Sequence, residues 1–338
     1  WEGLAIGSAL AGTGLTIGEN VVGMDMEAKI KNGRVADTVD LKRRVRLYQD
    51  HQIDGYGAII VQANVEDTRL GTQEYAIQEL GVECVELKWG QGAKNIGGEV
   101  KIKDLKKAQE LHRRGYVVLP DPTNQGVIKA FERGTFRDFE RHSRVGMVEE
   151  EAFAKRVEEL RKSGAKYVTL KTGAYRPADL ARAIAWSSKY GIDLLTVDGA
   201  GGGTGMSPWH MMNEWGMPPV ELHSLLHNYA KQLADAGRPV PALAFAGGFV
   251  FEDQIFKGLA LGAPFVKLIG MARSPIAAAM VGKTLGRTIE ENQVPVYVER
   301  FGRTRDEIFV TSGDLRQLVG DDAFEELPSG AIGLYTYY

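Results

Sequence analysis

Two lysines stand at the ends of short apolar runs, and each runs into glycine. Lys88 opens Lys88-Trp89-Gly90-Gln91-Gly92-Ala93-Lys94, which continues as Asn95-Ile96-Gly97-Gly98. Glycine leaves backbone N–H groups open, while Gln91 and Lys94 add fixed donors, so this loop suits an anionic substrate. A solvated basic turn would account for the lysines but not for the tryptophan and so many glycines. Lys171 closes the run Tyr167 to Leu170 just before Thr172-Gly173. A cation there could neutralise negative charge building on a cofactor ring. Asp198-Gly199-Ala200-Gly201-Gly202-Gly203-Thr204-Gly205 brings backbone close to something flat or anionic. Gly247-Gly248 follows one further run, and Gly270-Met271-Ala272-Arg273 the next. Two glycine corners on adjacent strands, with Arg273 for a charge-assisted contact, fit a phosphate.

Other features carry less. His223 and His227 share a helix face but have no third ligand and no His-Glu-x-x-His pattern, so a metal site is not expected. Arg137, Arg141, His142 and Arg144 could form a lid over an acidic substrate, but the plainer reading is a solvated charged face. Cys84 reads as a small buried residue. Glu150 and Glu151 suit the start of a helix.

Positioning these loops requires a regular scaffold. Seven aliphatic or β-branched runs read as strands: Ala58 to Ala63, Glu83 to Lys88, Tyr116 to Leu119, Tyr167 to Leu170, Leu194 to Val197, Ala242 to Ala246 and Phe265 to Ile269. Helical spacing separates them, as in Phe153, Val157 and Leu160, or in Phe251, Ile255 and Leu259. Polar and glycine residues follow nearly every strand rather than one switch point. That favours a (β/α)8 TIM-type barrel over an open doubly wound sheet. The eighth strand must come from the first 50 residues, which read as helix and glycine-rich loop, or lie ahead of the chain as given. One domain spanning 1–338 is expected, with a polar, irregular extension from about 286, and Tyr335 to Tyr338 reads as an interrupted element.

Composition narrows the function. The 41 Lys and Arg against 44 Asp and Glu give a net charge of -3, which creates no field to attract nucleic acid. No apolar run is long enough to span a bilayer and no signal peptide is evident, so a soluble cytoplasmic protein is expected. The single cysteine can form neither an internal disulfide nor a set of iron–sulfur ligands, so redox chemistry would need an organic cofactor.

Together and in order, these segments resemble the FMN-binding synthase domain of glutamate synthase and, more closely, the stand-alone FMN-binding glutamate-synthase-like proteins. The likeness runs from about Gly12 to Gly286. Gly18-Glu19-Asn20 is similar to the family's Thr-Gly-Glu-Gly-Gly loop, Gln91-Gly92-Ala93-Lys94 to its Gln-Gly-Ala-Lys, and Gly202-Gly203-Thr204-Gly205 to its Gly-Gly-Thr-Gly. Gly247-Gly248 matches its phosphate-side glycine pair and Gly270-Met271-Ala272 its Gly-Thr-Ala. The resemblance implies a (β/α) barrel holding FMN. Lys88, Lys171, Gly202, Gly203, Gly247, Gly248, Gly270, Met271, Ala272 and Arg273 would lie at the cofactor, and Glu19, Gln91 and Lys94 at the substrate. Lys171, Lys94 and Gln91 would be catalytic. It implies redox chemistry at the imine/amine couple of a small carboxylate such as 2-oxoglutarate and glutamate. An electron donor or acceptor and a partner delivering ammonia are implied with it, and a homo-oligomer is expected. It also places the first barrel strand ahead of Glu19, and so implies that part of the N-terminal region is missing. There are departures. Ser274, Pro275 and Ala277 to Ala279 stand where the family has three cluster-binding cysteines, and Ala200-Gly201 replaces a His-Asp pair. An FMN oxidase or dehydrogenase of another amino or 2-hydroxy acid, or a non-catalytic flavin- or phosphate-ligand-binding subunit, are the alternatives.

Overall fold

Alternation with period two governs the main sheet, because side chains along a strand point to opposite faces. Twelve strands are present in a computed structural model, which describes residues 1–89, 99–144, 146–147, 149–173, 176–203 and 209–338. They are β1 (Leu15–Ile17), β2 (Lys29–Lys31), β3 (Arg34–Asp37), β4 (Ile59–Ala63), β5 (Cys84–Trp89), β6 (Glu99–Ile102), β7 (Val117–Leu119), β8 (Phe139–His142), β9 (Tyr167–Gly173), β10 (Leu194–Asp198), β11 (Ala242–Ala246) and β12 (Val266–Gly270). Seven share one sheet in the order β1-β4-β5-β9-β10-β11-β12. The pairs β5–β9, β9–β10, β10–β11 and β11–β12 are parallel. Strands laid side by side in chain order and linked by crossover helices form an α/β fold of the TIM type.

Register fixes which residues share a face. Glu86 pairs with Thr169 and Lys88 with Lys171. Lys171 in turn pairs with Thr196, and Asp198 with Ala246. Glu86, Lys88, Thr169, Lys171, Thr196 and Asp198 therefore line one face, which Ala244, Ala246, Leu268 and Gly270 continue across β11 and β12. The alternate residues Val85, Leu87, Val168, Leu170, Leu195, Val197, Leu243 and Phe245 are buried. Burying each contributes about 2 kcal/mol, and Phe153, Val157, Leu160, Leu180 and Ile184 on helices Glu150–Lys162 and Pro177–Lys189 are buried with them.

Three sequence expectations need correction. Tyr116 to Leu119 does not join the barrel-type sheet, because β7 pairs antiparallel with β8, which also takes β6, in a separate three-stranded sheet. A three-residue apolar run fits either kind of sheet, and the run itself does not choose. Second, the strand expected ahead of Glu19 is present as β1, where Leu15 N–H donates to the Ala58 carbonyl at 2.9 Å. Third, the tail after Leu285 is mostly helical, and Tyr335 to Tyr337 belong to helix Ser329–Tyr337.

The chain separates into two compact units, one of Gly18–Leu41 and Val61–Gly270, the other of Trp1–Ile17, Lys42–Ile60 and Met271–Tyr338. In the second, Ile6, Leu10, Phe309, Leu315, Phe324, Ala331 and Ile332 form a buried cluster. Glycines let its helices touch: a Cβ added at Gly7 would meet the Ala331 carbonyl at 2.8 Å. The first unit carries the site described next.

Candidate functional site

Three charged side chains, Lys88, Lys171 and Asp198, project from the C-terminal halves of β5, β9 and β10. Lys88 reaches Glu19, which follows β1, with Nζ 2.8 Å and 3.0 Å from the two carboxylate oxygens, and both side chains are only 11% exposed. Lys171, one strand over, lies 3.5 Å from an Asp198 carboxylate oxygen. Deeper on the same face, Glu86 is buried, accepting from Gln62 Nε2 at 2.6 Å and Thr169 Oγ1 at 3.3 Å. Burial raises the Glu86 pKa, and Lys171, Gln62, Lys88 and Thr169 pull it back only in part. Burial works against the charge of Lys171 too, but Asp198, Glu86 and Glu19 outweigh it and hold its pKa above the ordinary value. Lys171 is therefore a fixed cation at neutral pH.

Glycines protect this arrangement. A Cβ at Gly202 would fall on an Asp198 carboxylate oxygen, so only glycine leaves Asp198 room beside the 3-10 turn Ala200–Gly202. Gly247 and Gly248 have φ of 129° and 98°, which side-chain-bearing residues rarely adopt. An added Cβ at Gly201 would meet the Gly247 carbonyl at 2.8 Å, so the two glycine corners lie in backbone contact. Gly247 and Gly248 also line a cavity of about 220 Å³ with Pro219, Val220, His223 and Phe249. His223 stacks on Phe245 at 3.8 Å, and burial pushes its pKa down to about 4. It serves as a neutral core residue, and His227 bonds the Ala263 carbonyl.

Behind the Glu19–Lys88 pair lies a network the sequence reading did not anticipate. Asn20, held in a left-handed conformation at φ 73°, donates its N–H to Asp67 Oδ2 at 2.9 Å. Its own Oδ1 accepts from Arg141 Nη1 at 2.8 Å and Asn64 Nδ2 at 3.1 Å. Burial pushes Asp67 up to about 7, and the N–H groups of Asn20 and Asn64 offset it only in part. Arg141 was expected on a solvated charged face. It is instead fully buried, with its guanidinium carbon 5.0 Å from the Tyr116 ring centre. Arg144 is likewise engaged, with Nη1 2.9 Å from both oxygens of buried Glu66. Arg141 alone of the basic stretch turns inward, because β8 is the middle strand of the antiparallel sheet, where alternate side chains point to the interior, while Arg137 and Arg144 remain exposed. One signal was available for Asp67: Asn64 and Asp67 have capping-box spacing, and both arms of that box are made.

Of the other expected site residues, Gly203 ends the 3-10 turn. Gly270 closes β12 in the larger unit, whereas Met271, Ala272 and Arg273 belong to the smaller one, where Arg273 opens helix Arg273–Glu290. Gln91 and Lys94 lie outside the described residues.

The conserved region in glutamate synthase matches residues 141–280. A glutamate synthase large subunit-like protein, YerD, from Bacillus subtilis (strain 168) is 30% identical over 190 residues, covering 55% of this chain and 32% of that protein. The chain thus spans about a third of that relative's length. Among solved structures, FabK from Thermotoga maritima is similar at 13% identity and a TM-score of 0.41, over 98% of this chain and 82% of FabK. A mandelate oxidase mutant with an FMN monooxide adduct gives 12% identity and a TM-score of 0.44, over 98% of this chain and 70% of that one. At these scores neither bears on the activity of this chain.

Proposed function

From the premise that residues 141–280 are glutamate-synthase-like, we propose that the chain is an FMN-dependent oxidoreductase acting on the imine/amine couple of a small carboxylate, such as 2-oxoglutarate and glutamate. The observation that carries this reading is the paired Lys88 and Lys171 at adjoining strand ends, beside a stretch of the same face where the small residues Ala244, Ala246 and Gly270 stand with Leu268. Small residues leave room for a flat ring, and two half-buried cations suit the charge it gains on reduction. The cradle is tight: a Cβ at Gly270 would meet Ala246 Cβ at 3.0 Å. These residues fit FMN. When bound, FMN supplies the two-electron chemistry, and the protein supplies position and field. Lys171, held cationic by Asp198 and Glu86, would lie at the ring and would stabilise negative charge there. Lys88 and Glu19 would fix the substrate side, and the resemblance assigns Gln91 and Lys94, outside the described residues, to the substrate as well. Gly202 and Gly203 let backbone approach the ring, and Gly247-Gly248 gives the phosphate a corner free of side chains.

A second reading, an oxidase or dehydrogenase of another amino or 2-hydroxy acid, is favoured by one observation. Gly201, in place of the aspartate of the family's His-Asp pair, is packed on the Gly247 carbonyl and has no space for a side chain. Reconstitution with FMN followed by anaerobic titration tests both readings. Bleaching of the flavin absorption by glutamate supports the first, and bleaching only by other amines or hydroxy acids supports the second. Failure to bind FMN would sink both.

A further inference from the structure

The Asn20 turn is held from two sides by groups that are themselves incompletely satisfied. Asp67 Oδ2 accepts from Asn20 N–H at 2.9 Å and from Asn64 N–H at 3.3 Å, yet buried Asp67 Oδ1 has no partner among the described residues. Arg141 spends Nη1 on Asn20 Oδ1, while its buried Nε and Nη2 have no partner among the described residues, and neither does the Tyr116 hydroxyl. Burying a guanidinium with two unused donors is costly, and an apolar residue of similar length would pack there as well or better. Packing alone therefore does not explain Arg141. Among the described residues, the one side-chain hydrogen bond it makes goes to the residue after Glu19, whose carboxylate grips Lys88.

We propose that Arg141, Asn20 and Asp67 form a buried clamp whose task is to hold Glu19 against Lys88, which makes them positioning residues for the face that carries Lys88 and Lys171. Asp67 fixes the backbone of the left-handed turn and Arg141 fixes its side chain. With both contacts made, the Glu19 carboxylate stays beside Lys88 instead of relaxing toward solvent. The clamp stands on hydrogen bonds among described residues. Only the identity of the ligand that profits from it rests on the FMN reading.

The first readout needs no cofactor: the rate at which acetic anhydride labels Lys88, followed by mass spectrometry and normalised to exposed Lys155 in the same sample. Arg141→Met should leave the protein folded and raise Lys88 labelling about fivefold, the equivalent of one lost net hydrogen bond. Asn20→Gly keeps a residue suited to the left-handed turn and removes only the side-chain tie, so it should raise labelling in the same direction. Arg141→Lys, which can still donate to Asn20, should restore most of the protection. The second readout is the midpoint potential of reconstituted FMN, which should shift in Arg141→Met and return toward wild type in Arg141→Lys. Unchanged Lys88 labelling in both Arg141→Met and Asn20→Gly, with the fold intact, would overturn the clamp. If Arg141→Met fails to fold, Asn20→Gly alone decides. If wild type takes up no FMN, the functional reading fails while the labelling result still judges the clamp.

Discussion

The inner face of the sheet changes character between β10 and β11. On β5, β9 and β10 it carries Glu86, Lys88, Lys171 and Asp198, each answered by an opposite charge, whereas on β11 and β12 it offers Ala244, Ala246, Leu268 and Gly270. The charged half is expensive to build, because every group there is partly desolvated and must be paired. The neutral half is nearly featureless, and its value is the space it leaves. On the proposed reading the contrast separates two tasks, supplying a field and admitting a ring, and assigns them to neighbouring strands. Damage to the two halves should therefore read out differently, in electrostatics on one side and in occupancy on the other.

The largest effect is expected beside the neutral half. Gly248→Asp forces a side chain into φ 98° and sets a carboxylate where the phosphate is proposed to lie. FMN affinity should fall at least ~100-fold, close to 3 kcal/mol, with riboflavin affinity falling much less. Equal losses for FMN and riboflavin would place the phosphate elsewhere and leave the corner a purely structural feature. In the charged half, Lys88→Met strands the Glu19 carboxylate, which is only 11% exposed. Urea denaturation at pH 7 should register a loss of about 2 kcal/mol, somewhat below the value for a fully buried pair. A loss near zero would mean that Glu19 finds water at once and that this half is less confined than its distances indicate.

The smallest effect is a change of slope. Asp67 titrates near 7 in the folded protein, well above the ordinary carboxylate value, so the folded state holds a proton that the unfolded chain has already lost. Wild-type stability therefore declines as pH rises from about 4 to about 7 on account of this group and is level beyond it. Asp67→Asn keeps an oxygen for the Asn20 and Asn64 N–H groups and cannot titrate. Its stability relative to wild type should rise across that window and then stay constant. His223, depressed to about 4, gives the opposite slope below its ordinary pKa in both proteins and cancels in the difference. A flat difference from pH 5 to 8 would show that Asp67 ionises normally.

Much of the scaffold could be read from sequence because parallel strands buried on one face and lined on the other leave short aliphatic runs, as in Leu194–Asp198 and Ala242–Ala246. The places of Lys171 at the end of an aliphatic run and of Gly247-Gly248 just after one could be read for the same reason. Those of Arg141 and Asp67 could not. A charge run gives no hint that alternate members turn inward until the middle-strand position of β8 is known. The Asn20–Asp67 contact spans 47 residues, beyond the reach of any local pattern. The short strand β1 was hidden too, since three residues show no periodicity.

The most direct test of the central claim is the midpoint potential of the bound flavin in wild type and in Lys171→Met, at pH 7 and without substrate. A lysine held cationic by Asp198 and Glu86 next to the ring should favour the reduced form. Its loss should lower the potential by about 30 mV or more, the equivalent of about 1.4 kcal/mol for a two-electron couple, while FMN remains bound. An unchanged potential with FMN fully retained would show that the charged half does not face the ring, and the division of labour between the two halves would fall with it.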